Sequence, residues 1–225
     1  MQIFPRQLNF LPLVLAVAAF TAGGVITFVF GYYFGPSNLQ IGYSPEQPVP
    51  YSHRLHAGEL GIDCRYCHAN VERSAYSMIP PTQTCMGCHA VVHPESARLE
   101  PVRQSWATGE PIEWVRVHQL PDHSYFNHSA HLYGAKAVYE DGSEVRVAIG
   151  CESCHGRIDQ MEIVGIVEPI SMGWCLSCHR NPGPNLRPLD EITSMGWEPS
   201  EDWAAHEEDH ARAVNPPQHC NGCHR

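Results

Sequence analysis

The chain has 225 residues, 24 of them acidic and 14 basic, so its formal net charge is −10 near neutral pH. This charge argues against sequence-independent binding of DNA or RNA, which needs a surplus of Lys and Arg facing the phosphates. The length allows one or two domains, and 19 prolines with 18 glycines predict many turns and few long elements.

The N-terminal part of the sequence predicts a membrane anchor. Residues 10–34 are nearly all apolar, and as a helix they would extend about 37 Å, enough to cross a hydrocarbon core of about 30 Å. A cleaved signal peptide is the alternative, but its apolar region has only about 7–15 residues. We therefore expect a transmembrane helix over residues 10–35, preceded by a cytoplasmic N-terminus (1–9) and followed by a linker (36–50).

The positive charges predict the orientation of this anchor. Arg6 precedes the apolar stretch, and the next positive residue is Arg54. Because positive residues favour the cytoplasmic side, the chain is expected to cross the cytoplasmic membrane once. The remainder then lies on the periplasmic, outer side.

The motif CxxCH occurs five times and uses all ten cysteines of the chain. The copies are Cys64-Cys67-His68, Cys85-Cys88-His89, Cys151-Cys154-His155, Cys175-Cys178-His179 and Cys220-Cys223-His224. This pattern is typical of covalent haem c attachment, in which two thiols bind the macrocycle and the adjacent histidine is the proximal iron ligand. Zinc ribbons, redox cysteine pairs and structural disulfides do not require a histidine after the second cysteine.

Five covalently bound haem c groups would leave little polypeptide for each one. The cofactors are then expected to form most of the core, wrapped by loops and short helices with little β structure. The alternating segment 137–150, with Asp-Gly at its centre, predicts one short hairpin. The predicted fold class is a multihaem cytochrome c with repeats of the cytochrome c3 and c7 type.

Ten histidines lie outside the motifs and can fill the second axial position of each iron. Two His-x-x-His pairs stand out, His53 with His56 and His128 with His131, and each pair precedes two motifs. One iron accepts only one further ligand, so the two members of a pair are expected to bind different haems, in an order that the sequence leaves open. His118 is the next distal candidate.

The pairs and motifs divide the sequence into repeats: residues 51–117 with two haems, 118–182 with two more, and 183–225 with the fifth. His206 and His210 could serve the fifth haem, bind another metal or lie on a solvated helix face. His93, His123 and His219 are interpreted as structural or surface residues. Met172 or Met195 could replace one distal histidine. Four arginines beside the motifs could pair with haem propionates or form surface ion pairs: Arg54, Arg65, Arg73 and Arg180.

With these motifs in view, the sequence resembles the membrane-anchored pentahaem cytochrome c subunit of alternative complex III, a bacterial quinol oxidoreductase of respiratory or photosynthetic membranes. The resemblance covers about residues 51–197, through the segments GIDCRYCH, IPPTQTCMGCH, EWVRVHQLPD, YFNHSAH and MGWCLSCHR. It does not extend to the His-rich stretch 203–219.

The resemblance implies an electron-transfer subunit that is not an enzyme by itself. Its implied partners are integral membrane quinol-binding and iron–sulfur subunits, with a periplasmic cytochrome c, another small redox carrier or a terminal oxidase as acceptor. One alternative is an anchored quinol dehydrogenase that feeds a periplasmic reductase. A multihaem reductase is the other alternative, but it needs an open iron position, whereas distal histidines outnumber the motifs two to one.

Overall fold

The structure, a computed structural model, describes residues 5–34 and 40–224. The chain divides into two compact units, residues 1–42 and residues 43–225. Residues 35–39 lie outside the described residues, and the end of the predicted anchor and the start of the predicted linker fall on them.

Over residues 6–34, the first unit is helical and has no buried side chains. A 3-10 turn over Arg6–Phe10 leads into helix α1, Leu11–Phe34. The hydroxyl of Thr21 donates to Val17 O at 2.8 Å, and that of Thr27 donates to Gly23 O at 2.9 Å. Hydroxyls bonded within the helix can enter a lipid core without losing a partner. The helix is long and apolar enough to cross a membrane, by length and composition.

The second unit consists of short helices joined by turns, as the sequence predicts. A π-helical turn covers Arg54–Glu59 and carries His56. The α-helices are α2 (Cys64–Cys67), α3 (Thr82–His89), α4 (Glu100–Thr108), α5 (His128–Leu132), α6 (Glu152–His155), α7 (Met172–Arg180), α8 (Glu201–Ala205) and α9 (Glu207–Ala213). The 3-10 turns of this unit are Ala97–Leu99, Ile158–Gln160, Gly183–Asn185, Leu189–Glu191 and Cys220–Gly222.

The predicted hairpin is present and belongs to a three-stranded antiparallel sheet. Strands β1 (Ala135–Val138) and β2 (Glu144–Ile149) pair across a turn in which Gly142 has a φ of +82°. Asp141 stabilises this turn by accepting a hydrogen bond from Ser143 N at 2.8 Å. The third strand, β3 (Leu186–Pro188), pairs with β2. No alternating pattern marks these three residues, the last of which is a proline, so this strand could not be predicted from the sequence.

The apolar core of the second unit is small. One buried cluster contains Leu132, Ala148 and Ile192, and another is built on the sheet. Nine apolar side chains are buried within the described residues: Val49, Val102, Leu132, Ala137, Val147, Ala148, Ile166, Leu186 and Ile192. A unit of this length normally buries more apolar surface, so protein side chains alone supply little of the packing.

The histidines of the C-terminal helices belong to an aromatic cluster beside the sheet. His210 is fully buried, and its Nε2 lies 2.9 Å from the hydroxyl of Tyr139. Its ring stacks on Trp203 with centroids 3.9 Å apart, and His206 stacks on Tyr139 at 4.2 Å. A solvated helix face is therefore wrong for His210, which holds α9 against the end of the hairpin.

Replacing His210 by Ala should lower the free energy of unfolding by about 2–3 kcal/mol, because a buried ring and a buried hydrogen bond are both lost. Burial lowers the pKa of His210, as does His206 nearby, while Asp209 opposes the shift. The neutral ring is thus favoured in the folded state. Its contribution is present above the ordinary pKa of about 6.5 and is lost as pH falls from there through the lowered folded value.

Urea unfolding of the full chain in detergent, followed by circular dichroism at about pH 7.5 and about pH 5.5, would measure this effect. Tyr139→Phe is the matched variant and should cost about 1 kcal/mol, since only the hydrogen bond is lost. An unchanged unfolding midpoint in His210→Ala at the higher pH would contradict the structural role of the cluster.

Candidate haem-binding sites

Each motif forms a turn of helix that brings its two cysteines to one side. In the first motif, Asp63 caps α2 by accepting a hydrogen bond from Arg65 N at 2.8 Å. In the fourth, Ser171 caps α7 by accepting one from Trp174 N at 3.3 Å. Side chains three positions apart share a helix face. Both thiols of a motif can therefore bond to the same edge of one flat group.

All ten cysteines are free thiols, so every motif retains the two sulfurs that thioether attachment requires. Among the described residues, no group of three or more His, Cys, Asp or Glu side chains is arranged to hold a metal ion. The motif histidines instead face other histidines in pairs.

The second histidine of each His-x-x-His pair faces the second motif of its own repeat. The ring centroids of His56 and His89 lie 6.2 Å apart, and those of His131 and His179 also lie 6.2 Å apart. The two distances agree although the four residues lie in separate segments of the chain.

These separations fit two imidazoles on opposite faces of one haem iron. A ligating histidine nitrogen lies about 2 Å from a transition metal, and its ring centre about 1 Å further out. Two axial imidazoles therefore have ring centres about 6 Å apart. The residues present thus fit the group that the motifs predict, with one distal histidine opposite each of these two proximal ones.

The first histidine of each pair lies near the first motif of its repeat. The rings of His128 and His155 are 6.4 Å apart and nearly parallel, at 7°. In the other repeat, His53 interacts electrostatically with His68. The Nδ1 atom of His53 is buried without a hydrogen-bond partner among the described residues. A buried nitrogen of this kind is suited to a metal that the protein chain itself does not contain.

His118 also reaches the third motif, but in a different geometry. Its ring lies 4.5 Å from that of His155 at an angle of 77°, too close for the two rings to bind opposite faces of one iron. Its Nε2 atom is buried and has no partner within the described part of the chain. The structure therefore brings His118 beside His155, and its predicted role as a distal ligand remains a prediction.

Hydrogen bonds fix the orientation of most of these rings. In six of these histidines, the Nδ1 atom faces a backbone carbonyl oxygen. Because a carbonyl oxygen can only accept a hydrogen bond, the ring donates from Nδ1, and its Nε2 atom stays available to bind a metal. This is the second-shell arrangement of metal-binding histidines. The pairs are His56 with Ser52 (2.8 Å), His68 with Met78 (2.7 Å), His89 with Val92 (2.9 Å), His128 with Ala75 (2.8 Å), His131 with Asn127 (2.8 Å) and His179 with Pro217 (2.7 Å).

Burial keeps several of these rings in the neutral form that binds metals. Burial, followed by neighbouring histidines, lowers the pKa of His155 to about 3 and that of His53 to about 4. Burial also lowers the pKa of His118 and His131. A neutral imidazole has a free nitrogen lone pair, so these rings need not lose a proton to coordinate iron.

Contacts between cysteines show how the motifs of the two repeats are arranged. The pKa of the Cys67 thiol is raised by burial and then by nearby Cys85, which places the first motif beside the second. The proximity of Cys151 lowers the pKa of Cys64, and that of Cys64 raises the pKa of Cys151, so the first motif also lies near the third. The first motif is therefore a neighbour of both the second and the third.

Neighbouring cysteines also link the third, fourth and fifth motifs. The pKa of Cys154 is raised to about 12 by burial and then by Cys178 and Cys175, which places the third motif beside the fourth. The pKa of Cys175 is raised by burial and then by Cys223 of the fifth motif. These neighbours link the motifs in the order second, first, third, fourth, fifth, which differs from their order in the sequence.

The fifth motif is held by residues next to His123, a histidine that was predicted to be structural or at the surface. Ser124 forms an antiparallel bridge with His224, and Tyr125 N donates to Cys223 O at 3.0 Å. The ring of His123 lies 5.5 Å from that of His224, with the planes at 22°. Histidines at positions 206 and 210 lie in the aromatic cluster instead. His123 lies three residues before Phe126, and no sequence pattern distinguished it as a neighbour of the fifth motif.

Two of the arginines beside the motifs form ion pairs with carboxylates. Arg54 contacts Glu59 and Glu162, and Arg65 pairs with Asp63 at 2.9 Å. These side chains are partly exposed, so the surface ion pair is the role that the structure gives them. Met172, a possible distal ligand, begins α7 with a side chain that is 61% exposed.

Comparison with known proteins gives one informative similarity. No protein-family model matches the chain. The sequence is 29% identical over 178 residues to a protein of Nitratidesulfovibrio vulgaris (strain Hildenborough) described as the multihaem cytochrome c subunit of menaquinone reductase. The match covers 73% of this chain and 81% of that protein.

Proposed function

We propose that the chain is a membrane-anchored pentahaem cytochrome c that transfers electrons within a quinone-linked oxidoreductase complex. The observation that carries the proposal is the repeated 6.2 Å separation of a motif histidine from a distal histidine. The similarity to a multihaem cytochrome c subunit of a menaquinone reductase supports the same class.

The residues divide into three sets by role. The thioether bonds would come from Cys64, Cys67, Cys85, Cys88, Cys151, Cys154, Cys175, Cys178, Cys220 and Cys223. The proximal ligands would be His68, His89, His155, His179 and His224, and the distal ligands His53, His56, His118, His128 and His131. When bound, the haem c groups supply one-electron carriers. Histidines at the first four motifs would close both faces of the iron, so that no substrate position would be left open there.

The order of the motifs suggests which parts of the chain face the partners. If the motifs follow the order in which their cysteines neighbour each other, the second and fifth would lie at the two ends of the row, and the first, third and fourth would lie between them. One end would then exchange electrons with the membrane subunits, and the other with a carrier on the outer side. Orientation of the anchor with the haem region in the periplasm fits this arrangement.

The specific form that we propose is the cytochrome subunit of alternative complex III, on the motif resemblance described above. Its partners would be integral membrane quinol-binding and iron–sulfur subunits, and electrons from quinol would leave to a periplasmic carrier or a terminal oxidase. The relative's description as a menaquinone reductase favours a second candidate, in which electrons run from the periplasm to the quinone. A lone anchored quinol dehydrogenase is the third.

The complex purified from its native membranes in mild detergent should distinguish these candidates. We expect reduced menaquinol analogue to reduce the haems within the complex under anaerobic conditions, as the rise of the haem α-band would show. The isolated chain should not respond to quinol, because the proposed quinol site lies on a partner.

Two other outcomes would favour the two other candidate functions. Oxidation of the prereduced complex by menaquinone analogue, without the reverse reaction, would favour the quinone reductase. Quinol oxidation by the isolated chain would favour the lone dehydrogenase. If neither quinol nor quinone changes the haem spectrum of the intact complex, the proposed quinone linkage is wrong.

A further inference from the structure

A short segment of the first repeat, residues 74–78, contacts one histidine of each repeat through its backbone carbonyls. Met78 O lies 2.7 Å from Nδ1 of His68, the histidine of the first motif. Ala75 O lies 2.8 Å from Nδ1 of His128, whose ring faces the third motif from the second repeat. A carbonyl oxygen can only accept a hydrogen bond, so both rings donate to this segment. One segment therefore orients histidines that are proposed to bind two different irons.

The segment also holds the start of helix α5, on which His128 lies. The first backbone N–H groups of a helix have no partner within that helix. Here His128 N donates to Ala75 O at 3.3 Å, and Ser129 N donates to Ser74 O at 3.2 Å. The carbonyl of Ala75 thus accepts from both the backbone and the ring of one residue. The first repeat therefore sets the position of the His128 ring, although this histidine belongs to the second repeat.

Met78 reaches His68 through an unusual backbone conformation. Its φ is +60°, in the left-handed region that residues other than glycine rarely adopt. Its side chain is 55% exposed, so packing of the side chain does not explain this conformation. Backbone strain persists where the surrounding structure requires it, and it clusters at functional sites. The direction of the Met78 carbonyl, toward the ring of His68, accounts for the strain.

We infer that residues 74–78 position axial ligands of the haems on the first and third motifs, so that a change in this one segment alters both haems. This inference rests on the proposed haem attachment. A carbonyl that accepts from Nδ1 fixes the plane of the ring and makes the ring a stronger electron donor to the metal. Stronger donation stabilises the oxidised iron, so each of these hydrogen bonds lowers the reduction potential of its haem. Loss of either bond raises that potential.

The first test uses the positive φ of Met78 in the full chain, purified with its haems in detergent. A β-branched side chain is strongly disfavoured in this region, whereas glycine adopts it freely. Met78→Val should therefore turn the carbonyl away from His68, and Met78→Gly, the matched control, should keep it in place. Spectroelectrochemistry should show one haem component at higher potential in Met78→Val and no shift in Met78→Gly.

The second test addresses both histidines at once. Replacing residues 74–77 by four glycines keeps the length of the segment but lets its carbonyls move. We expect the low-spin electron paramagnetic resonance signals of two haems to change, and two components to move to higher potential. The same replacement of residues 140–143, in the turn between β1 and β2, is the matched control and should leave all the haem signals unchanged.

Intact mass and a haem assay establish the haem content of every variant before these measurements. Unchanged potentials in Met78→Val would overturn the inference, as would a change confined to one haem in the 74–77 variant. Changes in all the haems of that variant would also overturn it, because they would show a general loss of structure. Each of these results leaves the haem proposal intact, whereas unmodified protein without five haems would count against the proposed function itself.

Discussion

Replacing His131 by Ala is expected to turn one of the five proposed haems into a high-spin centre that binds carbon monoxide. The ring of His131 lies 6.2 Å from that of His179, the proximal histidine proposed for the fourth motif. Its removal leaves the iron with the proximal ligand alone. The reduced protein should then bind carbon monoxide at about one fifth of its haems, as measured by the change in the Soret band.

The equivalent change in the first repeat, His56→Ala, should give the same fraction, because His56 faces His89 at the same distance. His93→Ala is the matched control, since His93 lies outside these pairs, and it should leave the protein low-spin. Carbon monoxide binding by the unmodified protein at a comparable level would contradict six-coordination. A wholly low-spin His131→Ala variant would show that another residue is the ligand.

Removing both cysteines of the third motif, Cys151→Ala with Cys154→Ala, should divide the proposed row of haems into two separate parts. The third motif contacts the first through Cys64 and the fourth through Cys178 and Cys175. Without it, the second and first motifs remain on one side and the fourth and fifth on the other. The intact mass should fall by one haem. Within the complex, quinol should rapidly reduce about half of the four remaining haems.

Removing the cysteines of the fifth motif, Cys220→Ala with Cys223→Ala, is the matched control. This variant also loses one haem, but the lost haem lies at an end of the row, so the other four remain connected. If quinol delivers electrons at the other end of the row, all four remaining haems should be reduced rapidly. If quinol delivers them at the fifth motif, none of the four should be reduced rapidly. Complete rapid reduction in the third-motif variant would show that the spatial order proposed for the haems is wrong.

The chemistry of the candidate sites could be predicted from the sequence more fully than the spatial contacts between their residues. Five CxxCH motifs predict the attachment residues, because the chemistry is local to five consecutive positions. The two His-x-x-His segments could be recognised as sources of distal ligands by counting axial positions. Which iron each histidine faces could not be predicted, since His56 meets His89 only after the chain has turned back over more than thirty positions.

Other features depend on contacts that leave no local pattern. Strand β3 is three residues long and exists because β2 offers it an edge. His123 reaches the fifth motif through a bridge between Ser124 and His224, a hundred positions apart. His210 has the spacing of an exposed helical residue, yet Tyr139 and Trp203 enclose it. Helical periodicity alone could not distinguish these environments.

The contact between Cys64 and Cys151 has a consequence for how the protein matures. Attachment of haem needs both thiols of a motif to be reachable, whereas the folded chain sets these two sulfurs against each other. The two cysteines are more than eighty positions apart, and closing such a loop costs chain entropy that later contacts must offset. We therefore expect haem to be attached to each repeat before the two repeats dock, so that docking would complete the proposed route for electrons.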